Sequence, residues 1–248
     1  MVGSHRLSLI LVEDFEMKSR FVLSLAFVVV GVTSQAQTLM VTINPILCAE
    51  TNGSNQSPFL AYTDYATKIF AQANIVLNIL TPTVLNNSAY NQFQYSNANN
   101  LTSNPGGGQH ANPLVVNAWF VDTLIGSTAY GFAYLNSPRM VMNTTAIAGY
   151  SSLGRVDTFS HELGHVLGLP HYTGANTANN LMASGGVRNI PQTLGNVAPD
   201  GLAYDFLTTA QINTIRNSQF ATAVPEPATL TLLGLGVAAV AARRRRAA

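Results

Sequence analysis

The sequence predicts an α+β domain held between two terminal segments that are addresses rather than structure. Runs of β-formers recur at 38–47, 74–80, 114–125 and 139–143, each short enough for a strand. Between and after them, apolar residues fall at helical spacing in 57–73, 154–169 and 207–220, which argues for helices packed on a sheet. With 248 residues the chain suits one domain of ordinary size plus appendages, and two domains are not required.

The elements follow in order. "TLMVTINPIL" (38–47) reads as the first strand. In 57–73, Phe59, Tyr62, Ala66, Ile69, Phe70 and Ala73 share a helical face, and Ser57 with Pro58 makes a good helix start. "NIVLNIL" (74–80) is a second strand, and 86–112 is polar and Gly-rich, hence a long surface loop. Strands follow in 114–125 and 139–143, with "YGFAYLN" (130–136) between them as an edge strand. In the helix 154–169, Val156, Phe159, Leu163, Val166 and Leu167 gather on one face and His161 and His165 on the opposite one. A closing helix over 207–220 opens with Thr208 and Gln211 at capping-box spacing and continues with Ile212, Ile215 and Phe220. No internal repeat is evident.

Composition excludes some roles. Only 9% of residues are charged and the net charge is +1, so nothing points to nucleic acid. Between Gln37 and Thr222 stand five basic residues, Lys68, Arg139, Arg155, Arg188 and Arg216. That weakly acidic, Asn/Thr/Ser-rich middle has the character of an exported domain. A single cysteine, Cys48, rules out an internal disulfide framework.

From Met17 the chain places Lys18 and Arg20 before an apolar run to Val32 and small residues at Ser34 and Ala36. That order is a secretory signal peptide over 17–36, cut after Ala36. Residues 1–16 bring Glu13, Asp14 and Glu16 just before it, the wrong charge for a signal's leading region, so translation is expected to start at Met17. After the domain, which ends at 222, the segment 223–248 joins Pro-Glu-Pro (225–227) to an uncharged stretch (228–242) and four arginines, Arg243 to Arg246. The uncharged stretch is short of the ~20 residues that span a bilayer. This resembles the PEP-CTERM sorting signal of Gram-negative bacteria, which implies export, transient membrane association, processing by an exosortase-type enzyme, and release or attachment at the cell surface. A plain C-terminal anchor is the alternative reading of the same residues.

The chemistry is concentrated in "HELGHVLGLPH" (161–171). His161 and His165, at i and i+4, stand one turn apart, so both rings reach one ion. Glu162 lies beside the first ligand, Gly168 is placed to end the helix with a positive φ, and the returning chain brings His171 as third ligand. Three neutral nitrogens leave a fourth position open, the mark of a catalytic zinc site. The alternative, a helix with solvent-facing histidines, explains none of the five fixed positions together. His110, in the Gly-rich loop, has no such context and reads as a surface residue.

These five residues resemble the metzincin metallopeptidase signature, whose methionine turn is matched by Met182 in "NNLMASGG" (179–186). The resemblance implies a twisted, mostly parallel sheet with an antiparallel edge strand, an active-site helix, and a small C-terminal subdomain ending in a helix. The upper subdomain would span 37–168 and the lower 169–222. It further implies one catalytic Zn2+, an endopeptidase acting on protein or peptide substrates, and Glu162 as the general base that takes a proton from a zinc-activated water. An extended substrate would pair with the edge strand near Gly131 to Asn136. Tyr172 after the third ligand and Ser184 two after the methionine depart from several subfamilies; three protein ligands and a matrixin-like or pappalysin-like relative are expected. Cys48 lies close to the signal cut, with no room for a prodomain, and reads as a buried, idle thiol. Residues 183–206 are loop-like and border the pocket beyond the scissile bond, while calcium sites and other substrate-binding residues are not legible. The competing function is a surface or biofilm-matrix protein that keeps the fold and cleaves nothing.

Overall fold

Eleven residues rich in β-formers, Leu39–Ala49, build the central strand β1 of a computed structural model that describes residues 37–97 and 107–224. The signal peptide and the sorting segment beyond 224 lie outside the described residues. Along one side β1 pairs in parallel first with β2 (Ile75–Ile79) over Leu39 to Ile43, then with β3 (Thr83–Asn86) over Ile46 to Ala49. Pro45, which has no N–H to give a ladder, falls where β1 passes from one partner to the other. Parallel pairing continues through β5 (Val116–Val121) to β8 (Arg139–Asn143), and β7 (Gly131–Ala133) closes that edge antiparallel to β8. The sheet is therefore mostly parallel with an antiparallel edge strand, in the order β2-β1-β5-β8-β7. A two-residue strand β9 (Thr222–Ala223) returns to pair antiparallel with Leu39 and Met40 at the start of β1.

β5 is buried throughout, as a strand covered on both faces must be. Its alternate side chains serve two clusters. Ala118 and Phe120 join Val41, Ile43, Met140 and Met142 on one face, under the helices α1 (Thr63–Ala71) and, with α2 the short helix Ser88–Asn91 and α3 Thr144–Gly149, under α4 (Thr158–Val166). Phe159 of α4 stacks on Phe120 at 6.4 Å; its neighbours Leu163 and Val166 are fully buried, each worth about 1.5–3 kcal/mol. Trp119 and Val121 face the other way, with Ile46, Cys48, Phe93 and Val141. There Trp119 Nε1 donates to Gly107 O at 2.7 Å. The closing helix α5 (Thr209–Arg216) carries the expected capping box, Thr208 accepting from Gln211 N at 3.2 Å while Gln211 Oε1 accepts from Thr208 N at 2.8 Å.

Three expectations are corrected. The first helix begins at Thr63, not near Ser57, because Tyr62 takes a left-handed φ of 44°. Ser57 is tied to the sheet instead: its N–H donates to Cys48 O at 2.8 Å and its hydroxyl to Asn91 at 3.0 Å. The region 86–112 is not all loop. Asn87 caps α2 by accepting from Ala89 N at 3.0 Å, and β4 (Gln92–Gln94) then pairs in parallel with β6 (Thr123–Ile125). The histidine-bearing helix is shorter than 154–169. Its N-cap Asp157 caps nothing with its side chain, since that carboxylate turns to Arg188 and Arg155.

Candidate metal centre

α4 presents His161 and His165 from one side, and the chain must reverse to add His171. The reversal occurs at Gly168, whose φ of +100° favours glycine; a Cβ there would stand 2.5 Å from Asn136 Oδ1. Asn136 N also donates to His165 O at 3.2 Å, which fixes the end of α4 to the turn after β7. His161, His165 and His171 each offer a ring nitrogen within 4.8 Å of the others, the one such cluster among the described residues. Burial runs from His161 inside to His171 exposed. His110 is exposed and takes no part.

The donor set fits a zinc-type ion. His161 Nδ1 donates to Leu181 O at 2.7 Å and His165 Nδ1 to Leu169 O at 2.6 Å. A carbonyl only accepts, so at His165 the proton sits on Nδ1 and the Nε2 lone pair is free for a metal; at His161 the carbonyl calls for the same tautomer, while the Arg188 guanidinium, which only donates, crowds the same nitrogen. Burial, reinforced for His161 by the Arg188 guanidinium, holds the pKa of His161 well below the ordinary imidazole value and lowers that of His165. Both rings are thus neutral at pH 7, the state that coordinates. Leu181 belongs to the segment carrying Met182, so the residue before the methionine orients the first histidine. Met182 is fully buried beneath α4, and a Cβ on Gly164 would collide with its Sδ. Tyr172 N donates to Met182 O at 2.8 Å, and its hydroxyl donates away from the cluster to Ala175 O at 3.2 Å. Ser184 lines the cleft.

Glu162 is 6% exposed, and burial pushes its carboxyl up to about 8 against the opposing guanidiniums of Arg188 and Arg155. Its room comes from Gly131 of β7: a Cβ there would lie 3.0 Å from Glu162 Cγ and 3.3 Å from its Oε1. The carboxylate and all three imidazoles line one cleft of about 780 Å³, bounded by β7 and by Ser184 to Gly186.

Beneath the site lies a charge cluster. Asp157 accepts from Arg188 Nε at 2.5 Å and stands 3.6 Å from Arg155 Nε. Arg188 Nη1 lies against His161 Nδ1 and donates to Leu181 O and Ala183 O at 2.9 and 3.2 Å. Sequence reasoning missed Gly131, Asp157, Gly164, Arg155 and Arg188. A signal existed for some: a glycine inside a helix costs roughly 0.5–1 kcal/mol, and two of the five basic residues of the middle segment flank the histidine motif.

Residues 223–246 match the family described as the PEP-CTERM protein-sorting motif. The chain carries a PEP-CTERM motif. That motif marks a protein for export and sorting to the cell surface, and it begins where β9 ends. No helix among the described residues is long and apolar enough to cross a membrane. No curated protein matches the chain. Among solved structures it is similar to mature mirolysin of Tannerella forsythia in complex with a cleaved peptide, at 16% identity and a TM-score of 0.46, over 73% of this chain and 92% of that one. It is also similar to archaemetzincin of Methanopyrus kandleri, at 16% and 0.45, over 75% and 98%. Metalloproteinase-II of Bacteroides fragilis gives 17% and 0.40, over 73% and 54%. At these values the likeness concerns the course of the chain.

Proposed function

We propose that this PEP-CTERM-bearing chain is an exported, cell-surface-sorted zinc-dependent endopeptidase of metzincin type. His161, His165 and His171 would hold the ion, Met182 would form the methionine turn beneath them, and Gly168 would make the helix-ending turn. When bound, zinc supplies Lewis acidity that polarises a carbonyl and lowers the pKa of water. Glu162, whose carboxyl a dication held by the histidines would draw back to its charged form, takes a proton from the attacking water and returns it to the leaving amine. The edge strand β7, which borders the cleft, pairs with the extended substrate backbone. The exosortase-type processing enzyme acts on the C-terminal segment. The observation that carries this reading is the buried Glu162 carboxyl in the same cleft as three clustered imidazoles, two of them, His161 and His165, tied by Nδ1 to backbone carbonyls.

The test compares zinc content and peptide hydrolysis of the wild type and Glu162→Gln. Retained zinc with cleavage reduced by at least about 10²-fold is expected. Bound zinc with equal, negligible cleavage in both proteins would favour the surface-matrix function instead.

A further inference from the structure

We propose that the cleft accepts a carboxylate of its substrate peptide against Arg155, an inference that rests on the peptidase reading above. Arg155 is only 3% exposed, yet it lines the cleft together with the metal ligands. Its guanidinium carbon lies 4.3 Å from the ring centre of Tyr130 and 5.3 Å from that of Tyr150, which holds the plane in place. Nη2 donates to Gly185 O at 2.9 Å. Nε stands 3.6 Å from Asp157 Oδ1 with neither atom hydrogen-bonded.

The anions around it do not satisfy it. Asp157 already serves Arg188 through its other oxygen at 2.5 Å, and the Glu162 carboxyl, which also feels both guanidiniums, is not the partner of the Arg155 hydrogen bond, which goes to Gly185 O. Asp205 is buried without a hydrogen bond, and burial with the nearby Asp157 pushes its carboxyl well above the usual range, toward the neutral form. A buried cation without a close hydrogen-bonded anion is costly, and an arriving carboxylate relieves that cost. The way in is open because Gly185 has no side chain: a Cβ there would meet Nη2 and Nη1 at 3.4 and 3.5 Å. The carboxylate comes from an Asp or Glu side chain or from the peptide's own C-terminus.

Full-length, zinc-loaded protein is assayed on peptide pairs differing only as Glu/Gln or Asp/Asn at each position around the scissile bond, and on free-acid and C-terminally amidated pairs. The expected result is about a tenfold higher kcat/KM for one carboxylate-bearing series; which series assigns the source. In Arg155→Gln the ratio should fall to about one while the neutral peptides are still cleaved. Gly185→Ala, which keeps the charge but crowds both terminal nitrogens, should reduce the ratio as well. Equal cleavage of acidic and neutral members in both series, or a ratio that survives both substitutions, would overturn the proposal. Binding of the same peptides to Glu162→Gln, read by fluorescence anisotropy, separates the two readings. A preference in binding by a chain whose wild type never cleaves would end the peptidase reading and leave the carboxylate site standing. Cleavage without any preference would do the reverse.

Discussion

Single residues set the chemical states on which the site depends. Gly131 gives Glu162 its space, so Gly131→Ala, whose Cβ would also stand 2.8 Å from Val141 O, must displace the carboxylate or the strand. Peptide hydrolysis should fall about 10–100-fold with bound zinc retained, because misplacement of a reacting group by about 1 Å is enough for that loss. Cys48 illustrates the opposite case, a reactive group made inert. It is fully buried among Ile46, Trp119 and Val141, across the sheet from α4, and burial pushes its thiol up to about 12. A raised folded-state pKa adds stability below the unfolded value, near 8.5, that is lost as pH rises toward the folded one. Native protein should therefore resist thiol reagents at pH 8, and Cys48→Ala should lessen the loss of stability between about pH 9 and 12, measured by denaturant titration.

Elements carry the site by joining segments distant in sequence. The Asp157–Arg188 pair binds the start of α4 to the strand-poor region after Met182, and both side chains are buried. Asp157→Asn leaves Arg188 without its closest anion and should cost about 3–5 kcal/mol, lowering the Tm by roughly 10 °C. The central strands, α4 and the capped α5 were legible because β-branched runs, a 3.6-residue apolar period and the Thr208/Gln211 pair are local signals. β3, α2, β4 and α3 were not: they are three to six residues long, mostly polar, and exist through pairing partners and through Asn87 and Asn143 caps. The same division runs through the site. The histidines, Glu162, Gly168 and Met182 could be read because spacing alone brings them forward; His161, His165, His171 and Glu162 line one cleft. Gly131, Asp157 and Arg188 could not, since Glu162 lies 31 residues from Gly131 and Arg188 31 residues from Asp157.

At the scale of the whole molecule, an ion held by the three histidines would couple metal binding to folding. The three histidines come from α4 and from the chain beyond its turn, and His161 is held by the Leu181 carbonyl, so an ion would bridge segments that otherwise meet through packing and the Asp157–Arg188 pair. Removal of zinc by a chelator should lower the Tm, by roughly 5–10 °C where zinc stood at 100 times its Kd, the equivalent of about 2.7 kcal/mol. Calorimetry with and without chelator checks this, and an unchanged Tm would show that the ion does not join them.

The short ladder of β9 on β1 has a mechanical meaning. Val224 N donates to Thr38 O at 3.2 Å, one step beyond the pairs Leu39–Ala223 and Met40–Thr222. Both exits of the domain thus share a single corner, three strands from β7 in the sheet order, or roughly 14 Å at the usual strand spacing. A leash attached at the C-terminal side would load β9 and the first rungs of β1, leaving the strand beside the cleft free of tension while the body swings from one point.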